Sequence, residues 1–275
     1  MSAPLMQKLS ETLSFIKQQY DQKPDAAIIL GSGLGKLTEE IELECAIDYD
    51  KIPHFPVSTV EGHQGKLLFG KLNGKRVVVM AGRFHYYEGY SPWQITYPVR
   101  VMKMLGAGFI FISNASGAVN SDYKVGDLMI IKDHISFFTV NPLIGPNEEA
   151  LGVRFPDMSE PYDSELIQKA KTVGEKFGLQ LHEGVYTAVT GPTFETRAEY
   201  KLIKIVGGDV VGMSTVQEVI VAVHAGMKVF AVSVVTDLGI REDENTITHE
   251  EVLMAAKEAE PKLSRLFYEM MAFVS

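Results

Sequence analysis

The sequence predicts an α/β fold: one domain over 1–275, with a mixed, mostly parallel twisted sheet flanked by helices. Three observations carry this expectation. Apolar runs without polar alternation, Val77 to Met80, Phe109 to Ser113 and Val229 to Val235, suit strands buried on both faces. The last third repeats strand, short polar loop and capped helix, a rhythm that calls for right-handed crossovers. Asn73-Gly74 between Lys66–Phe69 and Val77–Met80 is the strongest short hairpin signal, and it makes the sheet mixed.

In chain order, Leu5, Leu9, Leu13, Ile16 and Tyr20 recur at helical spacing, so a first helix is expected to end before Pro24. Ala26 to Leu30 reads as a short strand running into Gly31–Gly35, where three glycines permit close approaches. GSGLG matches neither the dinucleotide fingerprint nor the P-loop; a tight turn and an anion cradle of backbone N–H groups with the Ser32 hydroxyl both remain open. Ile47 to Ile52 reads as extended, and Pro53 and Pro56 bracket a loop that leads through His63 into the hairpin. Ser91 and Pro92 open the next helix and Gly106 stops it. Phe109 to Ser113 then runs out into Asn114, Ala115, Ser116 and Gly117, and Leu128 to Ile131 is another strand.

No periodicity is visible from His134 to Tyr162. A segment of that length in a compact domain is usually functional or covers a partner. Asp163 to Phe177 is an amphipathic helix closed by Gly178. The strands Gly184 to Val189, Asp209 to Met213 and Val229 to Val235 follow. Thr196 with Glu199, Thr215 with Glu218, and Thr248 with Glu251 read as capping boxes. Pro261 is expected to kink or divide the terminal helix.

Composition excludes several classes of function. Lys+Arg 26 against Asp+Glu 35 leaves a net charge of −9, which disfavours nucleic acid or an anionic membrane as a partner. An anionic ligand would need local donors. The single Cys45 leaves no intrachain disulfide and no zinc spacing. Neither a signal peptide nor a membrane span is legible, so a soluble cytoplasmic protein is expected.

Open α/β sheets keep their chemistry at the carboxyl ends of strands. The prominent case is Val77 to Tyr90, where an apolar strand runs into Arg83, His85, Tyr86, Tyr87 and Glu88. The other strand exits supply Ser32, Asn114 and Ala115, Phe194 and Glu195, Met213 and Ser214, and Thr236 and Asp237. Arg83 offers a planar fork for phosphate or carboxylate, and Ser32, Arg83, His85 and Ser214 together would make an oxyanion site. Phe194 beside Glu195 pairs an aromatic face with an acceptor, as a flat heterocycle bearing a ring N–H requires. His249 lies at the first turn of a capped helix, where the orphan amides favour a neutral imidazole. His54, His134, His182 and His224 are isolated, with no metal-ligand spacing, and no serine sits in a GxSxG elbow.

ILGSGLG at 29–35, FPVSTVEGH at 55–63, GRFHYYEGY at 82–90, NASGAVN at 114–120, NPLIGPN at 141–147, GVRFPDMS at 152–159, GPTFE at 191–195 and GGDVVGMSTVQEV at 207–219 occur in order. Through these motifs the chain resembles the trimeric purine nucleoside phosphorylases of the inosine/guanosine type. The resemblance implies the nucleoside phosphorylase fold. It puts phosphate contacts on Ser32, His63, Arg83, His85, the backbone at Ala115, and Ser214. Ribose contacts fall on Tyr87, Met213 and His249, with Phe155 reaching into a neighbouring subunit's site. Base contacts fall on Phe194, Glu195, Val211 and Asp237.

The implied reaction is reversible phosphorolysis of a purine β-nucleoside, with His85, Glu195 and Asp237 in catalytic roles. It needs no metal or organic cofactor, inorganic phosphate being a co-substrate, and it implies a homotrimer. One residue departs from the pattern. The inosine/guanosine enzymes usually carry asparagine where Asp237 stands, and the related methylthioadenosine phosphorylases carry aspartate. Glu195 points the other way, toward 6-oxopurines.

Overall fold

The computed structural model describes residues 4–60, 64–240 and 247–275. His63 therefore lies outside the described residues. Nine strands form one sheet: β1 (Ala26–Ile29), β2 (Glu42–Asp48), β3 (Lys66–Leu72), β4 (Lys75–Ala81), β5 (Phe109–Ala118), β6 (Leu128–Ile135), β7 (Leu181–Ala188), β8 (Val210–Gly212) and β9 (Lys228–Leu238), in the order β2-β3-β4-β1-β5-β8-β7-β6-β9. A further pairing of β5 with β9 closes β5, β8, β7, β6 and β9 into a ring. Five of the nine described pairings are parallel, as a mixed, mostly parallel sheet requires. The ring itself was not legible, because it depends on β5 pairing on both sides far along its length.

The hairpin is as expected. Asn73 and Gly74 take φ of 48° and 77° between paired β3 and β4, the positive values that a two-residue hairpin turn demands. β1 is buried throughout and pairs in parallel with β4 on one side and β5 on the other. Gly31 follows directly, and a Cβ there would stand 2.8 Å from the Ser113 carbonyl and 2.9 Å from the Asn114 Cα. The first glycine of GSGLG is thus needed for packing on β5.

Among the described residues six α-helices cover the sheet: α1 (Leu5–Gln19), α2 (Pro92–Leu105), α3 (Ser164–Phe177), α4 (Arg197–Ile205), α5 (Val216–His224) and α6 (His249–Met270). α1 packs on α2 and α2 on α5, while α3 packs on α6 and α6 on β9. Ser91 caps α2, Thr196 caps α4 and Thr248 caps α6, each reciprocated by the residue three positions on.

Four expectations need correction. Thr215 does not cap α5 through its side chain; its φ is 70° and Glu218 is turned into the core. Pro261 does not divide α6, which runs from His249 to Met270 with a buried face that outweighs the lost backbone donor. Ile47 to Ile52 is not one extended run: β2 ends at Asp48 and a 3-10 turn spans Tyr49–Lys51. Asn114 to Gly117 and Thr236 with Asp237 lie within β5 and β9, since the closed ring prolongs both strands. Between β5 and β9 the register shifts at Ser116/Gly117, where Gly117 faces Asp237.

Candidate active site

A cavity of about 470 Å³ opens at the carboxyl ends of β1, β4, β5, β8 and β9. Its lining includes Ser32, Arg83, His85, Ala115 and Ser214, with Arg83 and Ser214 hydrogen-bonded to each other, and also Phe194, Glu195, Val211 and Asp237, with Val211 and Asp237 both paired to Gly117. Tyr87, Met213 and His249 line it as well. The fold thus gathers these predicted residues from seven separate segments. Phe155 does not line the cavity; it is 86% exposed on the long loop. That loop is braced all the same: Arg154 Nη1 donates to the carbonyls of Leu143 and Gly145, and Gln217 on α5 donates to Val140.

Arg83 is 1% exposed, and its fork is already occupied. Nε donates to Glu218 Oε1 at 3.1 Å and Nη2 to Oε2 at 2.6 Å, while Nη1 donates to the Ser113 carbonyl at 2.8 Å and to Ser214 Oγ at 3.2 Å. The Nε and Nη2 edge is therefore not what an anion meets. Burial pushes the Glu218 carboxyl up, and the charge and hydrogen bonds of Arg83 work against that rise. Glu218 escaped sequence reasoning because its spacing from Thr215 already had a local explanation.

His85 stacks on Tyr87 with ring centroids 4.7 Å apart, and its Nδ1 lies 3.1 Å from Glu88 Oε1. Burial lowers the His85 pKa, chiefly against the hydrogen bond to Glu88. Burial also works to raise Glu88, but hydrogen bonds from His85 and from the Thr59 hydroxyl and N–H outweigh it and hold the carboxyl at about 2. An ionised Glu88 accepts, so a neutral His85 carries its proton on Nδ1, which leaves Nε2 as the acceptor nitrogen. Glu88, three residues after His85, was legible as a neighbour but not as the group that sets this tautomer.

Asn114 lines the cavity, yet its amide is committed to the protein. Nδ2 donates to Thr215 Oγ1 at 2.8 Å and Oδ1 accepts from Ser233 Oγ at 2.7 Å. Gly117 lies between Val211 on β8 and Asp237 on β9. A Cβ at Gly117 would sit 2.6 Å from Asp237 Oδ2, so the absent side chain makes room for the carboxylate. Asp237 is 6% exposed, and its Oδ1 accepts from the Thr236 hydroxyl at 3.1 Å. Burial raises the Glu195 carboxyl, and the charge of Asp237 raises it further. Glu195 immediately precedes the Thr196 cap of α4, which ties its backbone to a helix end.

The isolated histidines have structural partners: His54 with Glu11, His134 with Tyr162, His182 with Asp127 and His224 with Arg100. Among the described residues no group of three or more His, Cys, Asp and Glu could hold a metal ion, and no helix is long and apolar enough to cross a membrane.

An α/β sheet that brings Arg83, His85 and Ser214 into one cavity with Phe194, Glu195 and Asp237 has the residue types that a phosphorylase needs. The Phosphorylase superfamily matches residues 25–272, and the chain belongs to that family. It is 54% identical over 245 residues to purine nucleoside phosphorylase 1 of Geobacillus stearothermophilus, covering 89% of each chain. Its structure is similar to that of a Schistosoma purine nucleoside phosphorylase in complex with hypoxanthine, with a TM-score of 0.94, 41% identity and full coverage of both chains. A Schistosoma mansoni purine nucleoside phosphorylase in complex with adenosine has a TM-score of 0.93 at 42% identity, covering 98% of each.

Proposed function

We propose that the chain is a cytoplasmic purine nucleoside phosphorylase that cleaves inosine, guanosine and their deoxy forms with phosphate, reversibly, to free base and α-(deoxy)ribose-1-phosphate, with a side activity on adenosine. The observation that supports this reading is the shared cavity, whose lining includes Ser32, Arg83, His85 and Ser214 as well as Phe194, Glu195 and Asp237. Ser32, Ser214 and the Ala115 backbone hold phosphate beside Arg83 and His85, with His63 completing the set. Phe194 and Val211 flank the purine.

In the reaction a phosphate oxygen bonds to C1′ as the C1′–N9 bond breaks, and that electron pair goes to the purine. The sugar becomes cationic beside the phosphate, and the purine becomes anionic. Groups aimed at developing charge are usually the largest catalytic contribution. His85 Nε2, as an acceptor, pairs with the protonated oxygen of hydrogen phosphate and turns its other oxygens toward C1′. Glu195 accepts from N1–H of a 6-oxopurine, and a protonated Asp237 donates to N7. Inorganic phosphate is the co-substrate and no further cofactor enters, since each developing charge meets the phosphate or a group of the chain.

A second reading, an adenosine or methylthioadenosine phosphorylase, is favoured by Asp237 alone, whose ionised carboxylate can accept from a 6-amino group. Initial rates on inosine, guanosine, adenosine and methylthioadenosine, each with and without phosphate, separate the two. Phosphate-dependent release of hypoxanthine faster than adenine is the expected result. Release of base without phosphate, or a preference for adenosine, would overturn it.

A further inference from the structure

We propose that Glu218 is a positioning residue for phosphate: it grips Arg83 through two nitrogens and so determines which edge of the guanidinium the phosphate meets. The inference rests on the phosphorylase reading and adds a residue to it. Arg83 and Glu218 are 1% and 2% exposed, and the two N–H···O contacts of 3.1 and 2.6 Å fix the guanidinium plane as a bidentate pair does.

The carboxylate also organises the turn between β8 and α5. It accepts from the Thr215 backbone N–H. It sits four residues after Ser214, whose hydroxyl accepts from Arg83 Nη1. Thr215 is held at a φ of 70° with its hydroxyl accepting from Asn114 Nδ2, a conformation that persists only where its surroundings impose it. Arg83, Ser214 and Thr215 thus form one network, and Glu218 is its anionic member. Arg83 and Ser214 line the cavity. Without the carboxylate only the Nη1 contacts to the Ser113 carbonyl and Ser214 remain to hold the guanidinium, so its fork can turn into the cavity and the Ser214 hydroxyl loses a fixed donor.

The test uses the intact enzyme with Glu218→Gln and Glu218→Asp, inorganic phosphate as one probe and hypoxanthine without phosphate as the other. Glutamine keeps the shape and loses the second acceptor; aspartate keeps the charge at shorter reach and spares folding. Displacement of a binding group by about an ångström costs up to about a hundredfold, so the phosphate KM is expected to rise about tenfold or more. The hypoxanthine Kd is expected to stay within about twofold, a split that general loosening of the fold does not produce. Thermal melts identify which variants fold, and the aspartate variant decides if the glutamine variant does not. An unchanged phosphate KM in a folded variant, or equal losses for phosphate and hypoxanthine, overturns the role of Glu218. A wild-type enzyme that lacks phosphate-dependent inosine cleavage would instead remove the phosphorylase reading itself.

Discussion

At the scale of single residues, Glu195 and Asp237 are the pair proposed to set specificity. Adenine has no N1–H for Glu195, and an unmatched buried polar group costs roughly 1–3 kcal/mol, or about ten- to a hundredfold. Asp237→Asn is expected to lower kcat/KM for adenosine while leaving or improving that for inosine, and Glu195→Ala to damage inosine and guanosine selectively. The pH profile carries a second sign. Burial and then Asp237 raise the Glu195 carboxyl above its ordinary value of 4.5. The acid limb of inosine kcat/KM should therefore lie above the ordinary carboxylate range. Only an ionised Asp237 contributes to that rise, so if Asp237 is ionised in the free enzyme the limb in Asp237→Asn should move to lower pH but not fully back, because burial remains; an unmoved limb would mean that Asp237 already carries its proton there.

Glu88 gives the opposite case, with a folded-state value of about 2 against 4.5. As pH falls the unfolded chain takes up this proton first, so the stabilisation is complete above about pH 4.5 and is lost as pH falls through about 2. In Glu88→Gln the stability–pH curve should be flatter across that window, with a lower melting temperature at neutral pH. Denaturant titrations at several pH values measure both.

At the scale of elements, β1 and the turn after it are held by contact rather than by propensity. Gly31→Ala would drive a Cβ against two backbone atoms of β5, Ser113 O and Asn114 Cα, neither of which can rotate away. Overpacking of this kind costs typically about 1–3 kcal/mol, and here it also displaces Ser32 and Ala115. The expected result is a lower melting temperature together with a raised phosphate KM; a neutral substitution would mean that β1 and β5 can part without cost. α4 offers a contrasting element. Its Thr196–Glu199 capping box is exposed and locally complete, so it was legible as spacing alone.

At the scale of the whole molecule, Phe155 does not line the cavity of its own chain. It is 86% exposed on a loop braced by Arg154 and Gln217, which fits a side chain held out for a neighbour's cavity. A cyclic homotrimer with shared sites is expected, so light scattering should report about three times the 30.4 kDa chain mass. Phe155→Ala should weaken nucleoside binding without changing that mass. A monomer with full activity at assay concentration would sink the shared-site arrangement.

The sequence by itself determined the strand-and-helix rhythm, the Asn73-Gly74 hairpin, two of the three capping boxes in the last third and the residues at the strand exits. Each of these depends on neighbours a few positions away, where side-chain chemistry and spacing suffice. Only the tertiary structure decided the closure of β5, β8, β7, β6 and β9 into a ring, which moved Asn114 and Asp237 from loops into strands. It alone turned Glu218 from a helix cap into the partner of Arg83, 135 positions away. A buried guanidinium requires a charge partner wherever the fold can bring one, and that requirement outweighs a cap worth about 1 kcal/mol.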